Sequence, residues 1–557
     1  MLLKKKASTE SLNQYIKYNK KQKIKEILKS YNKNDILNIN KKDENGDYSL
    51  LYASRECSSE IVKMIMEYTH KYNIVLKLNE KNCQSSYPLL AAICNNNIET
   101  VKLLMIYAKK HHILLEVNAM DKDGNTPLFV AISKNNIDII RLLMKYTERY
   151  GITLEVNRKS KNAIYPFLLA TFQNNIEIAK LLIEYADKHK IPLEMNAKDI
   201  IDNTPLLLAS FNNDVKMIKM IINYAEEHHM TLRINEKNRD NNNLLLFAII
   251  NNNVKMVKLL LEYAHNHFIT LDLNGKDNSN KYPLLYAIIK NNIKIIKLLI
   301  NYAQKHNIIL ELNKKGKDGT YPLLLATLNN NIEVVELLME YAIKHKIILK
   351  MNEKEYNGNS PLIVATLKNN ITLVNMLIAY ADNHMITLKL NDKNQYGYYP
   401  LLISVFNNNI TMVMILMDYA MRHNIILELN EKENNGNYPF LLATSRNNIE
   451  MAMLLIRYAN RLGIVLDLNQ INNNGNYPIL IATAKYNIDM IQIIMEFSDH
   501  CNIILELNEQ NDQGFSPLTF IKKSGNNDLN KLLLNYCEKH GIILREYDHS
   551  HNILNIQ

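Results

Sequence analysis

Apolar and polar positions return in the same order every 39 residues along this chain. In the stretch 317–355, Lys317-Asp318-Gly319-Thr320 leads into Tyr321-Pro322-Leu323, an apolar run continues through Ala326, and Asn330-Asn331 interrupts it. Leu337-Leu338, Tyr341-Ala342 and His345 follow, then Ile347-Ile348-Leu349 and Asn352. From Ser49 the phase holds without a gap through thirteen repeats: Ser49, Pro88, Pro127, Pro166, Pro205, Leu244, Pro283, Pro322, Pro361, Pro400, Pro439, Pro478 and Pro517. Eleven of the twelve prolines fall at this position, Pro192 being the exception. A first helical turn tolerates proline because the missing N–H has no intrahelical partner there.

Each element of the repeat follows from this pattern. Thr126, Thr204, Ser360 and Ser516 precede the proline and can cap a first helix. Glycine stands three residues before it in eight repeats, as in Asn357-Gly358 and Asn435-Gly436, which predicts a tight turn. Four residues after it, alanine in eleven of thirteen repeats lets two helices approach closely. Pairs such as Asn174-Asn175 and Asn330-Asn331, and Gly525 in the last repeat, predict a turn between two helices, because Asn tolerates the left-handed region. A second helix is expected from Glu333 to about His345, with Val334, Leu337, Leu338 and Tyr341 on one face. His345, Asn307 and Gly463 mark its end in their repeats, and Ile348–Asn352 predicts an extended return.

Gly124-Asn125-Thr126-Pro127-Leu128, with Ala131, Asn135 and Leu142-Leu143 downstream, resembles the ankyrin repeat, and the likeness covers about residues 40–540. The resemblance implies an all-α repeat solenoid, with helix-turn-helix repeats joined by β-hairpin-like turns in a curved, elongated stack. With helices about 8–10 Å apart, thirteen repeats would make a rod on the order of 120 Å long. Ankyrin repeats usually have 33 residues. The six extra ones lie where Tyr341–Ile347 stands, which implies a second helix longer by about one turn and a longer return. The family's histidine two residues after proline is replaced by Phe129, Leu168 and Leu207, so apolar packing is expected in place of a hydrogen bond. HEAT-type repeats have a similar length but do not explain the glycine turns.

The expected organisation is an N-terminal basic helical cap (1–40), an array of 39-residue repeats (41–516), and a C-terminal capping repeat with a tail (517–557). In the cap, short helices are predicted over 9–18 and 22–31, the second with Ile24, Ile27 and Leu28 at helical spacing.

Composition adds location and charge. The net charge is +10, of which residues 1–34 supply +8 from ten lysines against Glu10 and Glu26, so the array is near neutral. The start Met1-Leu2-Leu3-Lys4-Lys5-Lys6 lacks the apolar core of a signal peptide, and no apolar run reaches the length of a membrane span. Cys57, Cys83, Cys94, Cys501 and Cys537 show no paired spacing, as expected of reduced thiols in the cytosol or nucleus.

No motif asks for catalysis: phosphate loops, Cys-x-x-Cys clusters, His-Glu-x-x-His and Gly-x-Ser-x-Gly are absent. No cofactor and no metal are expected. His111, His189, His228, His267, His306, His345, His384, His423 and His540 share one phase. Ladder members about 8–10 Å apart cannot share an ion whose ligands sit near 2.0–2.2 Å, so these are read as helix-end histidines. His111-His112, His228-His229 and Asp548-His549-Ser550-His551 are the weaker metal candidates. Asp121-Lys122-Asp123-Gly124 has its glycine too early for a calcium loop and reads as a hairpin tip. Tyr185, Tyr263, Tyr341 and Tyr419 read as core.

Two ladders exceed what the repeat requires. Phe172, Phe211, Ile250, Ile289, Leu328, Leu367 and Phe406 stand six residues after the proline position in seven consecutive repeats. The resemblance places this phase on the concave face. Beside it run Gln173, Asn212, Asn251, Lys290, Asn329, Lys368 and Asn407. An apolar stripe next to a polar one predicts a groove for a protein or peptide partner, unless the longer repeats fold over it. Asn357, Asn434 and Asn435 at the turns are expected to add polar contacts. The second ladder, Lys81, Lys159, Lys198, Lys237, Lys276, Lys315, Lys354, Lys393 and Lys432, reads as a solvated edge that could attract an acidic partner. The expected function is a monomeric, non-catalytic interaction scaffold. The alternative is nucleic-acid or anionic-surface binding through Lys4-Lys5-Lys6, Lys20-Lys21 and the lysine ladder.

Overall fold

The computed structural model describes residues 8–31, 36–56, 58–547 and 553–555. Lys4-Lys5-Lys6, Cys57 and the tail Asp548–His551 lie outside the described residues. The chain forms two compact units, Met1–Asp272 and Leu273–Gln557. Each is built from the same pair of helices.

In the first unit the basic N-terminal helices, Thr9–Lys17 and Lys21–Ser30, precede the repeats. Each repeat then carries a seven-residue short helix such as Pro205–Phe211 and a long helix such as Val215–Glu227. Short helices pack on short helices, long helices on long ones, and the two layers meet over Ala53, Ala131 and Ala209, all fully buried. In the second unit the pairs run from Pro283–Ile289 with Ile293–Lys305 to Pro517–Ser524 with Asn527–His540. Ala326, Ala365 and Ala482 fill the same gap there. Leu168 and Leu207, standing where the ankyrin pattern has histidine, are buried, and Phe129 is half-buried.

Local chemistry sets the boundaries. Thr126, Thr204 and Ser360 accept the N–H of Phe129, Leu207 and Ile363 at 3.2, 3.3 and 3.4 Å. At Ser516 the roles differ, and the Thr519 hydroxyl accepts the Ser516 N–H at 2.9 Å. Where tyrosine takes the cap position its side chain is buried and ties down the return of its own repeat: Tyr321 Oη donates to the carbonyls of Lys350 and Glu353, both at 2.9 Å. Asn174 and Asn330 adopt φ of 56° and 53°, as the turn requires. Their neighbours Asn175 and Asn331 each do two things. Asn331 Oδ1 caps Val334 N–H at 3.1 Å while its Nδ2 donates to Asn291 Oδ1 at 2.6 Å. In the first unit Asn175 caps Ile178 and donates to Asn135 in the same way.

The return is extended but does not form a sheet. In the first unit it is kinked by γ-turns such as Val156 N–H to Leu154 and Met195 N–H to Leu193, both at 3.0 Å. Asparagine side chains carry the bonding between returns. Asn196 Nδ2 donates to Thr231 O at 2.9 Å and its Oδ1 accepts Arg233 N–H at 3.0 Å. Asn352 does the same to Thr387 O and Lys389 N–H, at 2.8 and 3.1 Å. The long-helix tyrosine completes the join. Tyr341 is buried, accepts Leu310 N–H at 3.2 Å and donates to Ile308 O at 3.0 Å. The all-α architecture has one departure among the described residues: Arg545–Tyr547 pairs antiparallel with Ile553–Asn555.

Glycine matters most where hairpin tips stack. At Gly436 (φ +80°) an added Cβ would meet Asn472 Cα and Asn473 N at 2.9 Å, whereas Gly463 (φ +65°) has nothing within 4 Å. Gly463→Ala should therefore cost only the left-handed penalty, roughly 1–2 kcal/mol. Gly436→Ala adds a backbone overlap that no side-chain motion relieves and should lower the thermal midpoint further. Equal midpoints for the two variants would refute this account of the tip.

Candidate partner-binding surface

The short helix makes only two turns. In Pro166–Phe172 it buries every residue except the last, Phe172. The final position points away from both helix layers, which leaves it accessible in every repeat where it is large. In the first unit Phe172 is 63% and Phe211 61% exposed, and Ile250 is half-buried. Phe247, on the same helix as Ile250, meets Phe211 edge-on with ring centroids 5.5 Å apart. In the second unit Ile289, Leu367 and Phe406 are exposed and Leu328 is half-buried. The Arg446 guanidinium lies 5.0 Å from the Phe406 ring centroid.

The polar neighbours are already engaged as donors. Gln173 Nε2 donates to Ser133 O at 3.0 Å, Asn212 Nδ2 to Thr171 O at 2.9 Å, and Asn251 Nδ2 to Ser210 O at 2.9 Å. In the second unit Asn329 donates to Ile288 O at 2.6 Å and Asn407 to Thr366 O at 3.1 Å. These carbonyls end the preceding short helix; those of Thr171, Ser210, Ile288 and Thr366 already accept the N–H three residues on, at 2.8–3.0 Å, and the amides add a second bond from the next repeat. Lys290 and Lys368 remain exposed beside Ile289 and Leu367.

Turn residues are likewise drawn into the stack. Asn357 Oδ1 accepts from Gln395 Nε2, Asn434 Nδ2 donates to Gln395 O, and Asn435 Nδ2 to Glu433. Asn357, Asn434 and Asn435 stay exposed, and the large exposed side chains at these tips are Tyr356 and Tyr396, at 77% and 54%. Neither they nor Phe247 follow from the phase of the ladder. Phe247 could have been found from its i,i+3 relation to Ile250, and the tip tyrosines from their place beside the turn glycines.

The lysine ladder binds repeat to repeat. In the first unit Lys42, Lys159 and Lys237 meet Glu80, Glu194 and Asp272 at 2.6, 3.0 and 3.2 Å, and Lys198 meets Glu236. In the second, Lys315, Lys354 and Lys393 meet Glu353, Asp392 and Glu431 at 2.6, 3.0 and 2.7 Å. Lys354 also donates to Lys393 O at 3.0 Å. Lys198 and Lys315 hold Glu236 and Glu353 below the usual carboxylate range. In the N-terminal helix Lys21–Ser30, Lys21 pairs with Glu60 of the first long helix and Lys23 with Glu26.

The histidines stack on the tyrosine one turn earlier, with centroids 4.2 Å apart for Tyr341 and His345. Several reach a carboxylate of the preceding repeat, as His228 to Asp187 and His423 to Asp382 at 3.0 and 2.7 Å. Among the described residues no three His, Cys, Asp or Glu side chains gather as metal ligands. Asp121 Oδ1 accepts the N–H of Asp123 and Asn125 at 2.8 and 2.9 Å, which makes it a turn brace. Burial raises the thiols of Cys94, Cys501 and Cys537, the last to about 11, opposite to what a thiolate nucleophile needs.

A family model for ankyrin repeats, in three copies, matches residues 72–155, 228–310 and 302–388. The repeat geometry and this match agree. The chain carries ankyrin repeats. No curated protein matches it. Ankyrin repeats are generally protein–protein interaction modules. No helix among the described residues of this chain is long and apolar enough to cross a membrane.

The last repeat carries a pH-sensitive join. Lys539 Nζ at 2.5 Å and His540 Nε2 at 2.6 Å hold the Asp499 carboxylate below the usual aspartate range. A lowered folded value stabilises above the ordinary aspartate pKa of about 3.9 and is lost as the pH falls through the folded value. Between about pH 5 and 3 the melting temperature of the wild type should fall more steeply than that of Asp499→Asn. Parallel slopes would show that this contact contributes nothing.

Proposed function

We propose that the chain is a non-catalytic interaction protein that holds a protein or peptide partner along the short-helix faces of its repeats. The observation that carries this reading is the accessible apolar ladder: Phe172, Phe211 and Ile250 in one compact unit, Ile289, Leu328, Leu367 and Phe406 in the other. Exposed large apolar side chains in register mark interaction sites on soluble proteins. The helices beneath are fixed by capping and repeat-to-repeat bonds, so docking orders little of the chain and loses little entropy. Partner specificity falls to the aromatic and aliphatic anchors, to Lys290 and Lys368, and to the tip tyrosines Tyr356 and Tyr396, because most neighbouring amides are already bonded. No side-chain set on this face is arranged for bond-making chemistry. The free thiols Cys83, Cys94, Cys501 and Cys537 suit a reducing compartment, cytosol or nucleus.

Proximity labelling in the native cell tests the reading. Phe211→Asp combined with Leu328→Asp should leave helical circular dichroism unchanged and remove proteins that the wild type labels. An unaltered labelled set, with the fold intact, would contradict partner binding on this face.

A further inference from the structure

We propose that the long-helix face of the first unit carries a second docking site, a cleft that takes an acidic peptide segment bearing aliphatic side chains. It lies between the helices Ile176–Lys188 and Val215–Glu227 and is open to solvent over about 470 Å³. Ile176, Ile183 and Met220, all half-buried, line its floor. Lys180, Lys216 and Lys219 are exposed along its rim, and Glu227 stands at the far end.

The charge here runs against the helix. The second residue of the long helix is acidic in eight of thirteen repeats, among them Glu60, Glu99, Asp138, Glu177 and Glu333. An acid there complements the positive end of the helix dipole. Three consecutive repeats reverse the sign, with Lys216, Lys255 and Lys294; none of those helices has an acidic residue in its first turn, and the only acid at their N-termini is Asp214, spent on capping the N–H groups of Lys216 and Met217. Within the first unit, Lys219 and Lys258 stand three residues further on, so neighbouring helices present a block of lysines that opposes its own dipoles. Most other cations of this unit hold carboxylates, as Arg141 does Glu177 at 3.1 Å and Lys188 does Glu148 at 2.7 Å. Among the described residues, Lys180, Lys216, Lys219, Lys255 and Lys258 form no ion pair, although Glu184 and Glu262 lie one turn along. A feature that costs helix stability and leaves its charges unneutralised is suited to an external anion.

The floor selects among anions. Lysines three residues apart sit about 5–6 Å from each other, the spacing of carboxylates three or four residues apart on a helical peptide. The recess between them accepts an aliphatic side chain, which a phosphate backbone does not offer. No exposed aromatic ring lines the cleft for base stacking, since Tyr224 is buried. A flat bilayer surface would meet the lysines but leave the recess empty.

Random 15-residue peptides displayed on phage would be depleted on full-length Lys216→Glu/Lys219→Glu/Lys255→Glu and then selected on the wild type. Enrichment of peptides rich in Asp or Glu together with Leu, Ile or Met is expected. As synthetic peptides these should bind the wild type at least tenfold more tightly than the triple variant. The variant should melt at or above the wild-type temperature, because Lys216→Glu and Lys255→Glu place acids in the first turns and Lys219→Glu is exposed, so lost binding cannot be ascribed to unfolding. Peptides without acidic bias, or peptides that bind both proteins equally, would overturn the proposal. So would wild-type binding of a thymidine 20-mer or of phosphatidylserine vesicles that disappears in the variant while no peptide is enriched.

Discussion

Side-chain amides and hydroxyls that stand in for backbone groups hold each repeat to the next. In the first unit Asn196 reaches Thr231 O and Arg233 N–H, and Tyr224 Oη accepts Leu193 N–H at 2.9 Å. In the second, Asn352 reaches Thr387 O and Lys389 N–H, and Tyr419 Oη accepts Leu388 N–H at 3.0 Å. These bonds join residues 31, 35 and 37 apart in sequence. The tyrosine-held amides of Leu193 and Leu388 are buried, and leaving such an N–H without a partner costs about 1–3 kcal/mol, while the asparagine bonds lie at the surface. One insertion in a return would break several such bonds together, which accounts for a phase that runs through thirteen repeats without a gap.

The same economy decides where function can lie. Turn asparagines cap helices and bond to each other, the amides beside the apolar ladder cap the preceding short helix, and the ladder lysines hold carboxylates 35 or 38 residues on. Groups committed this way fix the scaffold and are poor contacts for a partner. What stays available is what the repeat does not use: the last residue of each short helix, the tips at Tyr356 and Tyr396, and lysines of the long-helix face. The two faces differ in character, one apolar and aromatic, the other basic around an aliphatic recess.

Much of this was legible in the sequence. The proline phase and the Asn pairs place the helices Pro322–Leu328 and Ile332–Lys344 to within a residue, because local rules of capping and periodicity govern them. The Phe172 phase could be read as a candidate surface because large apolar side chains recur there without need. What could not be read is who bonds to whom. Nothing in the linear order shows that Lys315 meets Glu353, that Asn331 reaches back to Asn291, or that a cap-position tyrosine such as Tyr321 bonds forward to Glu353 O. The first two partners depend on how repeats stack and the third on how the return folds back within its own repeat, and a recurring Asn looks the same whether it is a solvated loop residue or a bridge. The sequence predicts a simply extended return, whereas in the first unit γ-turns kink it, since an apolar alternation such as Ile191–Met195 does not encode its backbone partner.

Residue-resolved hydrogen exchange in Asn352→Ala tests the bridging claim most directly. The account predicts that the Lys389 amide, accepted by Asn352 Oδ1 at 3.1 Å, loses about tenfold or more of its protection, while Leu388, held by Tyr419, keeps its own. Unchanged protection at Lys389 would mean that the asparagine side chain does not join the repeats, and the explanation of the fixed period would fall with it.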